Sequence, residues 1–256
     1  MQANSRTADF SARTSGRYWW FQQNPNFFVP PVFAFLSEDE WELMLAWYSK
    51  TDAANSAGEA NIPAISFLHG LIMGSRIKNI VQLGHYEGFS TLLIGFMLRK
   101  MGLKRSFCTI DIDPKVSNTT QEWVDKAGLQ DYVKVLTGDS ASPEFPRVVR
   151  DYFQGEVNMV FIDSSHAYQH TLTELDLWYP VLKPLGIILM HDVSKYAMSF
   201  DYAKLGGVQK AVTEWAEKNK VQYFLLNGSL PQDYGEGVNG IVYGDICGIG
   251  IMQKPY

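Results

Sequence analysis

Cysteine is nearly absent from this sequence, which has only Cys108 and Cys247 in 256 residues. Neither belongs to a CxxC pair, and each sits in a strand-like run. That favours two buried, reduced thiols over a disulfide framework or a thiolate zinc site. Positive charge is not in excess either. Lys and Arg number 22 against 27 Asp and Glu, the net charge is −5, and no Lys/Arg-rich run occurs. Phosphate backbones attract basic stripes, so no nucleic-acid partner is expected. No apolar run approaches the roughly 20 residues that span a bilayer. The opening MQANSRTADFSARTSG lacks the apolar core of a secretory leader. The expectation is a soluble, cytoplasmic protein without membrane contact. Also missing are GxGxxG and GKS/GKT, the loops of dinucleotide and triphosphate sites.

What is present is an apolar fraction of 46% and a charged fraction of 19%, enough for a substantial core. From about residue 79 the chain alternates β-rich runs with helix-length segments. The runs are NIVQL (79–83), SFCTID (106–111), YVKVLT (132–137), VNMVFID (157–163), GIILMHD (186–192), VQYFLLN (221–227) and ICGIGIMQK (246–254). A helix over Thr171–Leu182 is expected to stop at Lys183-Pro184-Leu185-Gly186. This pattern predicts an α/β, doubly wound, Rossmann-like sheet, mostly parallel, with helices on both faces. No helix separates the last two runs, so they are expected to pair antiparallel at one edge.

Residues 1–78 read as a helical and aromatic extension, and residues 79–256 as the main domain. Ser37-Glu38-Asp39-Glu40 is a helix start with a capping box. A second helix is expected over Glu59–Gly74. The aromatic stretch 17–37 has three open roles: a lid, a packing arm or a homodimer contact.

The stretch IVQLGHYEGFSTLLIG (80–95) reads as strand, glycine-punctuated loop and helix. Such a loop presents backbone N–H groups and the hydroxyls of Ser90 and Thr91 at a helix start. That suits a carboxylate-bearing nucleoside better than a triphosphate. Asp111, 27 residues after Gly84, ends the second run and is placed to accept ribose hydroxyls. Asp139, with Ser140 beside it, ends the third and is placed to accept from an adenine amino group. Ligands of open parallel sheets sit at these carboxyl ends.

The fourth and fifth runs end in Asp163, with His166 three residues on, and in His191-Asp192. Asp163 and Asp192 converging on one point suggest a hard divalent cation such as Mg²⁺. The cation would bind two oxygens of an acceptor and acidify its hydroxyl. His166 would act as general base. His191 also reads as a core histidine, Asp192 as a turn cap, and His170 as a surface helix residue.

The loop Leu83-Gly84-His85-Tyr86-Glu87-Gly88-Phe89-Ser90 resembles the LGxYxGYS loop of class I S-adenosylmethionine-dependent methyltransferases. Residues 79–254 look most like the catechol and caffeoyl-CoA O-methyltransferases and a bacterial group near the cephalosporin-biosynthesis enzymes. The resemblance implies a seven-stranded sheet with a reversed last strand, and S-adenosylmethionine as cofactor. It implies that Gly84, Gly88 and Ser90 hold the methionine part and that Tyr86 lies near the sulfonium. Asp111 would take the ribose, and Asp139 and Ser140 the adenine. It places Asp163, His166 and Asp192 at the metal and base positions. The implied activity is O-methylation of a small-molecule hydroxyl, on a phenol or sugar-type diol. Three departures stand out. His166 stands where the relatives commonly have Lys as base. Gln82 replaces an acid that helps hold the cofactor's amino group, which leaves two outcomes open: weaker cofactor binding, or compensation by a neighbour such as Glu87. Val193 replaces an oxygen ligand after Asp192, so the third metal ligand is missing or comes from His191 or His166. Two alternatives stay open: a metal-independent O- or N-methyltransferase, and a non-catalytic cofactor-binding partner.

Overall fold

The computed structural model describes residues 29–56, 58–228 and 244–256. Among the described residues seven strands form one sheet: β1 (Ile80–Leu83), β2 (Phe107–Asp111), β3 (Val133–Thr137), β4 (Val157–Ile162), β5 (Leu182–His191), β6 (Tyr223–Leu226) and β7 (Ile249–Gln253). Their spatial order is β3-β2-β1-β4-β5-β7-β6. The pairs among β1 to β5 are parallel, and β7 runs antiparallel to both β5 and β6. The expected sheet and its antiparallel edge pair are both present.

The helices are α1 (Pro31–Ala34), α2 (Glu38–Ala54), α3 (Ile62–Ser75), α4 (Phe89–Lys100), α5 (Pro114–Lys126), α6 (Phe145–Phe153), α7 (Tyr168–Trp178) and α8 (Gly207–Asn219). Local chemistry sets their starts. The Ser37 hydroxyl accepts from Glu40 N, and the Glu40 carboxylate accepts from Ser37 N, completing the capping box of α2. Asp113 caps α5, with Pro114 in its first turn.

The sheet divides two hydrophobic cores, and β1 shows why. Its four residues are all buried. Side chains alternate across a strand, so Ile80 joins the core beneath α4 while Val81 and Leu83 join the one beneath α6, α7 and α8. Gln82 therefore points to the α4 side. Residues of α1, α2 and α3 pack into that same core, with Val32, Phe33 and Trp47 fully buried. Of the expected aromatic stretch, residues 29–37 are described, and there Val32, Phe33 and Leu36 are buried in this core. Tyr18, Trp19, Trp20 and Tyr234 lie outside the described residues.

One boundary needs correction. The helix expected over residues 171–182 ends at Trp178, and residues 182–185 open β5 instead. Leu182 pairs with Val157, the register shifts, and Ile187 then pairs with Met159. The Lys254 ammonium donates to the carbonyls of Tyr179, Pro180 and Leu182, satisfying the chain where the helix stops.

Candidate active site

A cavity of about 430 Å³ opens at the carboxyl ends of β1 to β4. β1 lies between β2 and β4, so the strand order reverses there, at the crevice where open α/β sheets take ligands. Of the expected site residues, Gly84, Tyr86, Ser90, Asp111, Asp139, Ser140, Asp163 and His166 line it. Gln82, Gly88 and Asp192 are not in its wall.

The loop after β1 is folded against its neighbours. At Gly84 a Cβ would meet the Asp163 carbonyl oxygen at 2.0 Å, with φ at +84°. Only glycine lets the tips of β1 and β4 approach this closely. Gly84 N donates to Ile110 O and Asp163 N to Leu83 O, both at 2.8 Å. Gly88 is the left-handed N-cap of α4, with its α-carbon facing Thr120. It shapes the loop from behind the cavity.

Gln82 sits beneath the loop. Its side chain is fully buried, Nε2 donates to Gly84 O (2.8 Å) and Ser90 Oγ (2.7 Å), and Oε1 accepts from Thr91 Oγ1 (3.1 Å). Three of its four hydrogen-bonding positions thus brace the loop from below. Asp111 is also more occupied than its position suggested. Oδ2 accepts from the backbone N–H groups of His85 (3.1 Å) and Tyr86 (3.0 Å), and Oδ1 from that of Asp113 (3.0 Å). A carboxylate has about four acceptor positions, so three are engaged before any ligand arrives.

Several wall residues escaped the sequence reading. Trp47, in α2, lines the cavity, and its indole donates to the Glu87 carbonyl at 2.7 Å. Gly58, Glu59 and Ala60 form another part of the wall. A Cβ on Gly58 would touch the Tyr86 ring at 3.0 Å. The partners are distant in sequence, so no local pattern announces these contacts.

A second missed group stands behind the wall. Glu174 is fully buried in α7. Its Oε1 accepts from the hydroxyls of Ser140 (2.5 Å) and Ser164 (2.8 Å). His170, expected on the surface, lines the cavity. Its Nδ1 stands 3.5 Å from Glu174 Oε2 and its Nε2 3.0 Å from Asp139 Oδ1. Glu174 first, against the opposing effect of burial, and then Asp139 push the imidazole up to about 9. Ser140 and Asp139 thus reach the cavity already engaged.

Beside the cavity the tips of β4 and β5 assemble a charged cluster. His191 Nδ1 lies 3.2 Å from Asp163 Oδ1 and 3.4 Å from Asp192 Oδ2, while Nε2 lies 3.0 Å from Asp245 Oδ2. His166 Nε2 lies 3.0 Å from Asp192 Oδ2. Burial disfavours a charged His191, but Asp192, Asp163 and Asp245 outweigh it and hold the imidazole well above its usual range. Burial opposes ionisation of Asp192, yet the charge of His191 and the hydrogen bond from His166 hold it well below the carboxylate range. His166 is raised as well, against burial, by Asp192 and Asp163. His166 and Asp192 have left-handed backbones, φ +58° and +62°, a conformation that surrounding contacts must impose. Val193 is buried and apolar.

Residues 81–193 match the family described as "Methyltransferase domain". That segment, less than half of the chain, is similar to methyltransferases. A catechol O-methyltransferase from Niastella koreensis is 33% identical to this chain over 147 residues, covering 55% of this chain and 63% of that protein. The Mus musculus catechol O-methyltransferase is 26% identical over 140 residues, covering 55% and 46%. The chain thus spans less than two thirds of the length of both relatives. In fold it is similar to the O-methyltransferase from Bacillus cereus in complex with SAH, with a TM-score of 0.65 and 17% identity over 93% of this chain and 99% of that one. It is also similar to TomG from Streptomyces achromogenes, an O-methyltransferase involved in tomaymycin synthesis, with a TM-score of 0.62 and 16% identity over 95% and 100%. At that identity the likeness is one of fold. No described helix is long and apolar enough to cross a membrane.

Proposed function

We propose that the chain transfers a methyl group from S-adenosylmethionine to a hydroxyl of a small molecule, with a phenol or sugar-type diol as acceptor class. One observation carries the reading: the loop after β1 and the tips of β2, β3 and β4 line one cavity, with His166 in its wall. Its volume of about 430 Å³ falls within the range of small-molecule sites, and its wall mixes Trp47, Phe89, Ile110 and Ile112 with hydroxyls and carboxylates. That mixture fits a nucleoside with a charged amino-acid end. Gly84, Tyr86 and Ser90 would hold the methionine half. The remaining acceptor position of Asp111 would take a ribose hydroxyl, and Asp139 would face the adenine. Bound there, the cofactor supplies an electrophilic methyl group on a sulfonium.

His166 is the base in this reading. Donating Nε2–H to Asp192 fixes its tautomer and leaves Nδ1 to take the acceptor's proton. Asp163, His191 and Asp192 offer ligand atoms that all lie within 4.8 Å of one another, a donor set that fits a divalent cation. His191 would supply the third ligand that Val193 does not. Asp245 would orient it from behind, as outer-shell carboxylates do for metal-bound histidines. One imidazole among the oxygens moves the preference from Mg²⁺ toward Mn²⁺, Fe²⁺ or Zn²⁺. A cation held there would acidify a bound hydroxyl.

A second reading dispenses with the metal, because the His191 imidazolium itself can bridge Asp163 and Asp192. The test is methyl transfer to a panel of phenols and diols, with and without chelator, followed by re-addition of single metals. Chelator-sensitive turnover restored by one metal supports the first reading, and chelator-insensitive turnover the second. Absence of transfer to every acceptor, despite binding of S-adenosylhomocysteine, removes both.

A further inference from the structure

S-adenosylmethionine ends in an amino acid, whose carboxylate and ammonium lie one carbon apart. Its carboxylate suits Ser90 and the N-terminal end of α4. Its ammonium needs an acceptor nearby, and Gln82 is neutral, buried and committed to Gly84, Ser90 and Thr91. Five acidic residues line the cavity: Glu59, Glu87, Asp111, Asp139 and Asp163. Asp111 receives three backbone N–H groups, Asp139 pairs with His170, Asp163 lies against His191, and Glu59 accepts from Gly58 N. Among the described residues, the Glu87 carboxylate has no hydrogen bond or ion pair.

The backbone beneath Glu87 is fixed. Trp47 holds its carbonyl, Gly88 N donates to His85 O at 2.8 Å, and Thr120 Oγ1 donates to Tyr86 O at 2.9 Å. The residue directly precedes Gly88, the N-cap of α4. Resting on the reading of this cavity as the cofactor site, we infer that Glu87 receives the ammonium of the cofactor's amino-acid end. Glu87 thereby takes over the charge-assisted contact that Gln82 does not make, from the rim of the loop rather than from the strand beneath it.

The experiment is calorimetric titration of wild type, Glu87→Gln and Glu87→Asp with two ligands. S-adenosylhomocysteine carries the amino-acid end, and 5′-deoxy-5′-methylthioadenosine is the same nucleoside thioether without it. Glu87→Gln should weaken S-adenosylhomocysteine by about tenfold to a hundredfold, the scale of a hydrogen bond between charged groups. It should leave methylthioadenosine unchanged. Glu87→Asp, which keeps the charge, should retain more of the affinity than Glu87→Gln. Equal losses on both ligands, no loss on S-adenosylhomocysteine, or Asp and Gln variants equally weak would overturn the assignment. Wild type that binds neither ligand would sink the cofactor cavity itself, an outcome distinct from any of these.

Discussion

Replacing Glu174 with glutamine removes one negative charge from behind the cavity wall while keeping the side chain's shape. The amide oxygen can still accept from Ser140 and Ser164, so packing is largely conserved. What changes is His170. In wild type its pKa is raised from 6.5 to about 9 by Glu174 and Asp139, with burial acting the other way. A gap of that size corresponds to about 3 kcal/mol of pH-linked stability for the whole network. Asp139 is half exposed, and solvent screening reduces the figure, so the share of Glu174 is about 1–2 kcal/mol. The sign follows from proton binding. Folded His170 holds its proton more tightly than unfolded His170. Its stabilisation is therefore complete below pH 6.5 and lost as pH rises through about 9. Urea unfolding at pH values on both sides of that window is the assay. Wild type should lose stability across it, and Glu174→Gln should show a flatter profile. A Glu174→Gln slope equal to that of wild type would refute the assignment of His170's charge to Glu174.

Three further outcomes follow from the same geometry. Gly84→Ala would drive a Cβ into the Asp163 carbonyl, 2.0 Å away, and should cost about 4 kcal/mol in urea unfolding and abolish binding of S-adenosylhomocysteine. Near-native stability would show that the strand tips yield. Glu40→Gln cuts a buried carboxylate from Arg99 (2.7 Å) and Lys100 (2.9 Å). Because both cations reach solvent, the loss should be about 2 kcal/mol, and an unchanged urea midpoint would count against it. His166→Gln should lower kcat by about a hundredfold to ten-thousandfold while S-adenosylhomocysteine still binds; turnover at the wild-type rate would remove His166 as the base.

The order of strands and helices was legible because it rests on local signals. NIVQL and VNMVFID are short buried β-rich runs, Ser37 and Glu40 form a capping box, and the loop from Gly84 to Gly88 is not a dinucleotide loop. The positions of Asp111, Asp139 and Asp163 at strand ends followed from that alternation. What a side chain does at its position was not legible. Trp47 meets Glu87 across 40 residues of chain, His191 meets Asp245 across 54, and Ser140 meets Glu174 across 34.

From its sequence alone, the chain determined that a parallel sheet would gather acidic residues and a glycine loop at one edge, because strand period and turn chemistry act over a few residues. Only the tertiary structure decided which of those acids are already satisfied. Hydrogen-bonding capacity is finite: Gln82 and Asp111 spend most of theirs on the loop, and Asp139 and Asp163 lie against histidines brought in from other elements. Packing between distant segments, rather than residue type, thus leaves Glu87 as the cavity's uncommitted carboxylate among the described residues.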